Sequence, residues 1–487
     1  MCLYLKRFIS FSIGMLALST TFSYSSSAQP FYHNTIVRVG DYGAKGDGIN
    51  DDSYAILRAI NALDKDGSTL VFESGKTYLL GDGKLGRNGT GNSYSAHPNN
   101  IKRPYVDCIT ARDLGRDIRL LFKGNKNLII EGNGAIIKSH PGNGECTNNA
   151  IMLFSNCESV TVNNLILNGS SDQRKPKYND YSVYGENNRG NFIAVNCVGL
   201  TLNNVSSLNS MMDGFNITGD SKTTSKSVTL YNCISRNAYR NGLTLFVHGA
   251  LIRGGEYSFT GYLSDGKTEQ GIMPMAGIDI ETGYDSIGVK DVIIDSILCE
   301  NNKVSGVVFN NASHNCFVKN SIFINNGVNS TSRNASFNEV LNNHFSNGAA
   351  IASQPGEVVK GNIFDIDISK MPLNRPIFDT GMKGNESEDV AVFEDNIINA
   401  DLSSLKTKKV IFKWLCGVRL FGNLIVKNNT FRNVYSFDRI IWGYCSILVD
   451  NKFILDEENI TIMPKSELGA HGTKLTWRNT VQGYQLR

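Results

Sequence analysis

The sequence has little of what would mark a collagenous, disordered or membrane-spanning chain. Only 10 of its 487 residues are proline, and its 47 glycines follow no three-residue period, which excludes collagen. A hydrophobic content of 41% is too high for a disordered chain. No run of about 18 apolar residues follows the N-terminal region, so we expect no membrane span. A net charge of +3 argues against nucleic acid as the main partner.

Several short motifs of catalysis and metal binding are also missing. The chain has no H-E-x-x-H helix, no G-x-S-x-G turn, no EF-hand loop and no C-x-x-C pair. Its seven histidines are scattered without ligand spacing. We therefore expect no metal site and no cofactor, with Ca²⁺ as the exception if the protein is a polysaccharide lyase.

The N-terminus has the pattern of a secretory signal. Lys6 and Arg7 precede an apolar stretch from Phe8 to Leu18, and a Ser/Thr-rich run ends at Ala28. A basic start, a short apolar core and small residues before the cut are typical of such signals. We expect a signal peptide over residues 1–28 and a protein that is periplasmic, at the cell surface or secreted.

The cysteines do not indicate a disulfide framework. Cys2 leaves with the signal, so nine of the 10 cysteines remain, and an odd number leaves at least one unpaired within the chain. Cys157, Cys197 and Cys233 each follow an asparagine in repeat-like segments. We expect these three to be small buried residues.

After the signal, a turn-rich segment leads into a short helix. Gly40–Gly48 is rich in Gly and Asp, and residues 50–53 offer capping side chains before apolar residues at helical spacing from Ala55 to Leu63. We expect this helix to cover the open end of the units that follow. The predicted organisation is an N-terminal cap segment over 29–82, coils over 83–455 and a C-terminal tail or cap over 456–487.

Most of the remaining chain repeats one pattern: a short alternating strand, a polar bend that usually contains Asn, and a second short strand. The clearest copies begin at Asn127, Ser159, Gly199, Ser227, Asp291, Cys316, Glu357 and Leu424. A period of roughly 20–40 residues indicates a solenoid. Asn enters the left-handed region at low cost, and stacked Asn side chains can hydrogen-bond between turns. The pattern predicts an all-β, single-stranded parallel β-helix closed by the N-terminal helix.

The segment from Val39 to Ile56, VGDYGAKGDGINDDSYAI, resembles the entry segment of the pectate-lyase-like right-handed β-helix superfamily. That superfamily includes polygalacturonase-type glycosidases, polysaccharide lyases, C5-epimerases and tailspike depolymerases. The resemblance extends over residues 37–455. It implies a right-handed coil and a glycan as partner, and it leaves the reaction open.

Four further strands can be aligned by their apolar positions. Their inward pairs are Phe215 and Ile217, Leu243 and Leu245, Ile278 and Ile280, and Val307 and Phe309. Because side chains alternate along a strand, the residues between them point outward onto one face. This face carries Asn216, Thr244, Asp279, Glu281 and Asn310. We expect it to be a groove that solvent can reach.

Asp279 and Glu281 are the predicted catalytic pair. Alternate residues of one strand lie about 6.5–7 Å apart at Cα, and carboxyl separations of about 6.5–9.5 Å suit an inverting glycosidase. Two acids side by side also raise the pKa of one of them. A solvated strand face or a cation site is the alternative.

Arg240 completes the predicted catalytic set. Arg can bind a carboxylate or sulfate of a sugar with two hydrogen bonds, and in a lyase a basic group removes the C5 proton. The alternative is a salt bridge to Asp279 or Glu281. Polar side chains around it are predicted to bind substrate: Asp213, Asn216, Arg236, Thr244 and His248.

Two segments resemble a paired motif of the superfamily. They read N-A-Y-R-N-G-L-T-L up to Leu245 and P-M-A-G-I-D-I-E up to Glu281. This resemblance implies a shared surface site for carbohydrate. The N-T-D, D-D, G-H-G and R-I-K series of plant-type polygalacturonases is missing, which argues against simple pectin hydrolysis, and the D-P-H motif of alginate epimerases is missing as well.

The leading functional hypothesis is therefore an exported glycoside hydrolase that acts on a polysaccharide or oligosaccharide. A polysaccharide lyase, which would act by β-elimination, and a non-catalytic glycan-binding surface protein remain alternatives. We expect no nucleic-acid partner, and the sequence leaves the oligomeric state open, with a monomer and a trimer as the options.

Overall fold

The computed structural model describes most of the chain between residues 35 and 454 and four short strands beyond it. The described residues are 35–81, 118–140, 150–173, 190–220, 222–262, 273–282, 287–330, 335–350, 354–367, 378–379, 390–401, 418–420, 424–434, 441–443, 447–454, 461–462, 474–475, 480–482 and 485–486. The predicted signal peptide and the predicted boundaries at 82/83 and 455/456 lie outside these residues, so export and domain limits remain predictions.

Three long parallel sheets, numbered I to III and given by their strands below, carry the fold, and a full coil contributes a strand to each of them. The chain runs through sheet III, then sheet I, then sheet II, and returns to sheet III one rung further along. Strands that are neighbours in a sheet therefore come from successive coils, which defines a parallel β-helix. The fold predicted from the repeats is confirmed.

Sheet I has 16 strands. They are Thr35–Arg38, Asp66–Val71, Lys126–Glu131, Glu158–Asn163, Val198–Asn203, Ser225–Tyr231, Val247–Arg253, Val289–Asp295, Ser313–His314, Phe317–Lys319, Glu339–Leu341, Val358–Lys360, Ala391–Glu394, Leu424–Lys427, Ile447–Val449 and Lys474–Leu475. Sheet II has 15 strands. They are Asp47–Asp51, Thr77–Leu80, Ile136–Ser139, Ile166–Asn168, Ser206–Leu208, Ile234–Arg236, Glu256–Ser258, Leu298–Glu300, Ile322–Ile324, His344–Ser346, Ile363–Asp367, Ile397–Asp401, Thr430–Arg432, Lys452–Ile454 and Thr480–Gln482.

Sheet III has eight described strands, which lie between residues 118 and 330. They are Ile118–Lys123, Ala150–Ser155, Gly190–Val195, Asp213–Thr218, Leu243–Leu245, Ala276–Ile280, Ser305–Phe309 and Val328–Ser330. Two small parallel sheets occur further along the chain. The first contains Phe378–Asp379, Val418–Leu420 and Ile441–Gly443, and the second contains Thr461–Ile462 and Gln485–Leu486.

The interior of the coils is apolar and stacked rung on rung. Phe122 and Phe154 stack with ring centroids 4.7 Å apart, and further along the coil so do Phe323 and Phe345. Such aromatic pairs stabilise a fold by about 0.5–1.5 kcal/mol beyond the area they bury. Cys157, Cys197 and Cys233 are buried in the same core and unpaired, as predicted.

The bend between sheets I and II explains the repeated asparagines. Its first residue adopts a positive φ of about 50–60°, as at Asn204 (53°) and Asn342 (55°), which Asn accepts more readily than other side chains. The second residue points inward and becomes asparagine in the later coils. Those asparagines form a buried hydrogen-bonded ladder: Asn343, Asn362, Asn396, Asn429 and Asn451. The predicted bonding of Asn side chains between turns is confirmed.

A helix, α1, spans Ser53–Asn61, where the sequence predicts one. Ile56, Ala59 and Ile60 on its buried face join the apolar core. Its closing of the coil end remains a prediction. Two short 3₁₀ helices, Val39–Tyr42 and Ser171–Gln173, complete the described helical structure. No helix in the described part of the chain is long and apolar enough to cross a membrane.

Candidate functional site

The candidate site lies on the outer side of sheet III. The inward pairs of its strands stack as predicted, with Phe215, Leu243, Ile278 and Val307 in one register. The residues one position further along pair as Asn216, Thr244 and Asp279, and they form an outward column. Alternation along the strands therefore predicts the direction of these side chains correctly.

This outward column is nevertheless buried. Asn216, Thr244 and Asp279 are at most 5% exposed, so the prediction that solvent reaches them is wrong. Arg240, which comes from the bend before the Leu243–Leu245 strand, is buried in the same cluster. Its guanidinium bonds to side chains of neighbouring coils, and its Nε donates to the backbone oxygen of Met273 at 3.3 Å.

Arg240 joins two carboxylates. Its Nη1 lies 3.2 Å from Asp213 Oδ2 and its Nη2 lies 2.7 Å from Glu281 Oε1. Only 2% of the Arg240 side chain is exposed. Burial opposes the positive charge, but the carboxylates of Asp213 and Glu281 outweigh it and raise the pKa of Arg240 well above its usual range. The salt bridge considered from the sequence is therefore present.

Asp213 is fully buried at the centre of several hydrogen bonds, so it is not exposed to substrate. Its oxygens accept hydrogen bonds from Thr244 Oγ1 at 3.0 Å, from Asn216 Nδ2 at 3.1 Å and from the backbone N–H of Asn241 at 3.1 Å. Burial raises the pKa of Asp213, although Arg240 and these donors oppose the shift. The predicted substrate contacts of Asp213, Asn216 and Thr244 are thus replaced by contacts among themselves.

Asp279 and Glu281 lie much closer together than predicted. Their carboxyl groups are near enough to share a hydrogen bond, which is incompatible with the separation of about 6.5–9.5 Å across an inverting site. Asp279 is fully buried; its Oδ2 accepts from Asn241 Nδ2 at 3.2 Å. Burial, followed by the charge of Glu281, raises the pKa of Asp279 well above its usual range.

A proton on Asp279 accounts for the environment of its second carboxyl oxygen, Oδ1. This oxygen is buried and receives no hydrogen bond from a described donor. If Asp279 is protonated, it can donate to Glu281, and both oxygens are then satisfied. Glu281, by contrast, reaches the surface: its side chain is 21% exposed, and Asn310 Nδ2 lies 3.5 Å from its Oε2.

Two residues predicted to bind substrate lie outside this cluster. Arg236 belongs to sheet II, where its Nε donates to Glu256 Oε1 at 2.6 Å. His248 belongs to sheet I, and its Nε2 lies 3.2 Å from the backbone oxygens of Ile287 and Gly288. The chain turns a corner of the coil between Arg236 and Arg240, and another between Thr244 and His248, so sequence proximity did not translate into a shared face.

Asn241 is the residue of the cluster that sequence analysis missed. Its Nδ2 donates to Asp279 and to Thr244 Oγ1, and its Oδ1 accepts from the backbone N–H of Ala276 at 3.0 Å. It occupies in its coil the place that Asp213 occupies in the preceding one, directly before a glycine. This equivalence with Asp213, a polar residue directly before a glycine, is the sequence feature from which Asn241 could have been predicted.

Asp265, Lys267, Glu269 and Tyr284, in the segments on either side of the Ala276–Ile280 strand, lie outside the described residues. Tyr239, directly before Arg240, is buried. In the described residues, no group of three or more His, Cys, Asp or Glu side chains is placed to bind a metal ion.

Comparison with known proteins supports the fold. No family model and no curated protein matches the chain. Pre-mature gene product 12 of bacteriophage phi29 aligns with a TM-score of 0.54 at 13% identity, over 92% of this chain and 56% of that one. A tailspike protein mutant of E. coli bacteriophage HK620, in complex with a pentasaccharide, aligns with a TM-score of 0.44 at 11% identity, over 92% and 78%.

The ORF18 protein of Geobacillus virus E2 aligns with a TM-score of 0.36 at 13% identity, over 92% of this chain and 61% of that one. The chain thus spans little more than half the length of the phi29 and Geobacillus virus proteins. At these identities the likeness concerns the fold alone.

Proposed function

We propose that the protein is a carbohydrate-active enzyme that cleaves glycosidic bonds, and that Glu281 is the acid that meets the substrate. One observation carries this proposal: Glu281 is the partly exposed member of a carboxyl pair whose other member, Asp279, is fully buried. Arg240 fixes one Glu281 oxygen at 2.7 Å. The pair thus presents one oriented carboxyl group at the surface and keeps a proton behind it.

The chemistry follows from this arrangement. Cleavage of a glycosidic bond needs a proton delivered to the leaving oxygen, and a carboxyl group that keeps its proton near neutral pH can deliver it. Burial favours the protonated form of Asp279. Asp279 donates its proton to Glu281 through their hydrogen bond, and Glu281 passes a proton to the leaving glycosidic oxygen. The water that completes hydrolysis gives its hydroxyl to the sugar and returns a proton to the pair. Asp279 is then a positioning and proton-holding residue, and it does not touch the sugar.

Asp279 and Glu281 together supply the general acid. They do not supply the second carboxyl group that a glycosidase needs on the opposite side of the glycosidic bond. Glycosidases need two carboxyl groups separated by at least about 5 Å. Asp279 and Glu281 share a hydrogen bond, so they are too close to flank a sugar. A group that activates water must come from outside this pair.

The burial of Arg240 weighs against a lyase in which this residue is the base. A guanidinium bonded to Asp213 and Glu281 and buried between them keeps its proton, and a base must give up its own before it can accept one. β-Elimination would require another basic group.

Turnover on a panel of neutral and acidic polysaccharides tests the proposal. Mass analysis of the products should show hydrolysis, and no product should have the ultraviolet absorbance of an unsaturated sugar. Glu281→Gln should lower kcat/KM at least about 100-fold, because general acid catalysis contributes that much. Glu339→Gln, on the outer side of sheet I, is the matched control and should retain activity. Full activity of Glu281→Gln would refute the role of this residue.

Non-catalytic glycan binding is the second candidate, and the burial of the cluster favours it. Six of its polar side chains are at most 5% exposed, as expected of a structural stack: Asp213, Asn216, Arg240, Asn241, Thr244 and Asp279. This candidate predicts that the wild-type protein retains oligosaccharides without cleaving them. Turnover that disappears in Glu281→Gln would exclude it.

A further inference from the structure

A column of basic side chains runs along the outer side of sheet I. Lys226 pairs laterally with His248, His248 with Lys290, and Lys290 with His314. The four residues therefore occupy the same position on four successive rungs, about 4.8 Å apart. We call them the basic column.

The two lysines of this column are exposed. Neither Lys226 nor Lys290 forms an ion pair with any residue that the structure describes, whereas Lys126, further along the same register, lies 2.9 Å from Glu158. In sequence, the acid nearest to Lys290 is Asp291, which accepts a hydrogen bond from Asn315 at 3.3 Å. Like charges on stacked strands repel one another and slightly destabilise the fold. A bound ligand of opposite charge would relieve this repulsion.

An apolar column lies beside the basic one. Thr229, Leu251, Ile293 and Phe317 pair in register on the same four coils, each three residues after its member of the basic column, and all are partly exposed. The surface therefore presents positive charge along one line and apolar contact along a parallel line. Such a combination fits a ligand that is extended, carries regular anionic groups and has apolar faces.

We propose that the basic column binds a linear polysaccharide that carries carboxylate or sulfate groups, laid along the axis of the coils. Lys226 and Lys290 stand two rungs apart, about 10 Å, so they would contact anionic groups on separate sugars of one chain. The apolar column would pack against the ring faces between them. Few exposed aromatic side chains accompany the column, which argues against single-stranded nucleic acid, since that ligand needs stacking platforms.

The basic column and the cluster around Arg240 are separate surfaces, and they lie next to each other along the chain. His314 follows Asn310 by four residues in one coil, and Asn310 contacts Glu281. His248 follows Thr244 by the same distance in another. The surface lies around the corner between sheets III and I from Glu281, so a bound polysaccharide could extend from one to the other.

Binding of dextran sulfate and of polygalacturonate, with neutral dextran as the reference, tests the inference. The wild-type protein should bind both polyanions, should not bind dextran, and should lose affinity as salt rises. The double variant Lys226→Ala/Lys290→Ala should bind about tenfold more weakly and with a smaller salt dependence. Lys226→Arg/Lys290→Arg keeps the charge and should restore binding.

Lys126→Ala is the matched control, because it removes the same charge from the same register of sheet I where an ion pair already exists. The affinity of Lys126→Ala for dextran sulfate and polygalacturonate should remain within about twofold of wild type. Equal losses in Lys126→Ala and in the double variant would overturn the inference, as would unchanged binding in the double variant.

Tighter binding of single-stranded DNA than of either polysaccharide would also overturn it. Binding is measured without turnover, so these outcomes do not depend on the proposed function. Loss of cleavage in Glu281→Gln tests the enzyme, and loss of binding in the double lysine variant tests the basic column.

Discussion

At the scale of single residues, Arg236 and Arg240 have the same side chain in opposite surroundings. Half of the Arg236 side chain is exposed, and it bonds to a single carboxylate, that of Glu256, which is itself mostly buried. Arg240 is 2% exposed and bonds to two carboxylates. An ion pair in water contributes little, because solvation competes with it, whereas a buried charge left without its partner is costly.

Arg240→Met should therefore destabilise the protein by about 3–5 kcal/mol, because it leaves Asp213 buried without a counter-charge. Arg236→Met should cost less than Arg240→Met, because half of the Arg236 side chain is already in water and only one carboxylate, Glu256, loses its partner. Urea unfolding of both variants at pH 7, followed by circular dichroism, measures the difference. Similar losses in the two variants would show that the buried network does not support the coil.

The sequence could predict which way the residues of the site point, but not how they pair. Alternation along a strand is local, so the outward direction of Asp279 follows from Ile278 and Ile280 on either side. The ion pairs of the site depend on Arg240 bonding to Asp213 and Glu281 of the neighbouring coils, and no short-range pattern encodes those contacts. The distance between the carboxyl groups of Asp279 and Glu281 was likewise inferred from Cα spacing, which ignores side-chain torsions.

Asp279→Asn tests the proton on this buried acid through the pH dependence of stability. The folded state raises the pKa of Asp279, so its stabilising contribution is complete at acid pH below the unfolded value and declines as pH rises toward the folded one. Asparagine is neutral at every pH and can still bond to Glu281 and Asn241. Between pH 4 and 7 the variant should therefore gain stability relative to wild type, by at most about 1.4 kcal/mol per pH unit.

Urea midpoints of wild type and Asp279→Asn, taken at pH 4, 5.5 and 7, give this difference directly. A constant difference across the series would mean that Asp279 is ionised in the folded protein at all three pH values, and the proton-holding role would fail.

At the scale of elements, sheet III depends on a column of glycines at the second position of its strands or just before them. A Cβ added to Gly277 would lie 2.6 Å from the backbone oxygen of Gly306, and one added to Gly242 would lie 2.5 Å from that of Gly277. The column ends at Ala349, whose oxygen lies 2.4 Å from a Cβ built on Gly327. The strands that carry Asp213, Asn241 and Asp279 can stack at normal spacing because these positions lack side chains.

Gly277→Ala should accordingly destabilise the fold by about 3 kcal/mol or more, since the clash is with backbone atoms that cannot rotate away. Ala349→Gly, at the end of the same column, is the control and should cost about 0.5–1 kcal/mol through chain entropy alone. Urea unfolding compares them. A mild effect of Gly277→Ala would mean that the rungs separate easily and that the geometry around Asp279 is less constrained than the contacts indicate.

At the scale of the whole molecule, the coil is a stack in which each rung contacts mainly its neighbours. Sequence repeats were sufficient to predict this architecture, because the bend residues and the alternating apolar residues recur in nearly every coil. They were not sufficient to predict that the inner bend position changes from apolar to asparagine along the stack, from Leu165 and Val205 to the ladder that begins at Asn343. Energy in such a stack is divided among local interfaces.

Asn396 lies in the middle of that ladder. Its Nδ2 donates to the backbone oxygen of Val359 at 2.9 Å and to Asn429 Oδ1 at 3.0 Å, and its Oδ1 accepts from the backbone N–H of Asn362. Asn396→Ala leaves these buried groups unpaired and should cost about 3 kcal/mol. Asn399→Ala, which removes one partly buried bond to Asp365, should cost less than about 1 kcal/mol.

Hydrogen exchange separates a local effect from a global one. In Asn396→Ala, amides of the strands Val358–Lys360, Ala391–Glu394 and Leu424–Lys427 should exchange faster, because their rungs open without the rest. Amides of Val198–Asn203, many rungs away, should exchange as in wild type. If exchange instead rises equally in all four strands, the coil unfolds as one cooperative unit, and stability at the Glu281 end depends directly on the distant asparagine ladder.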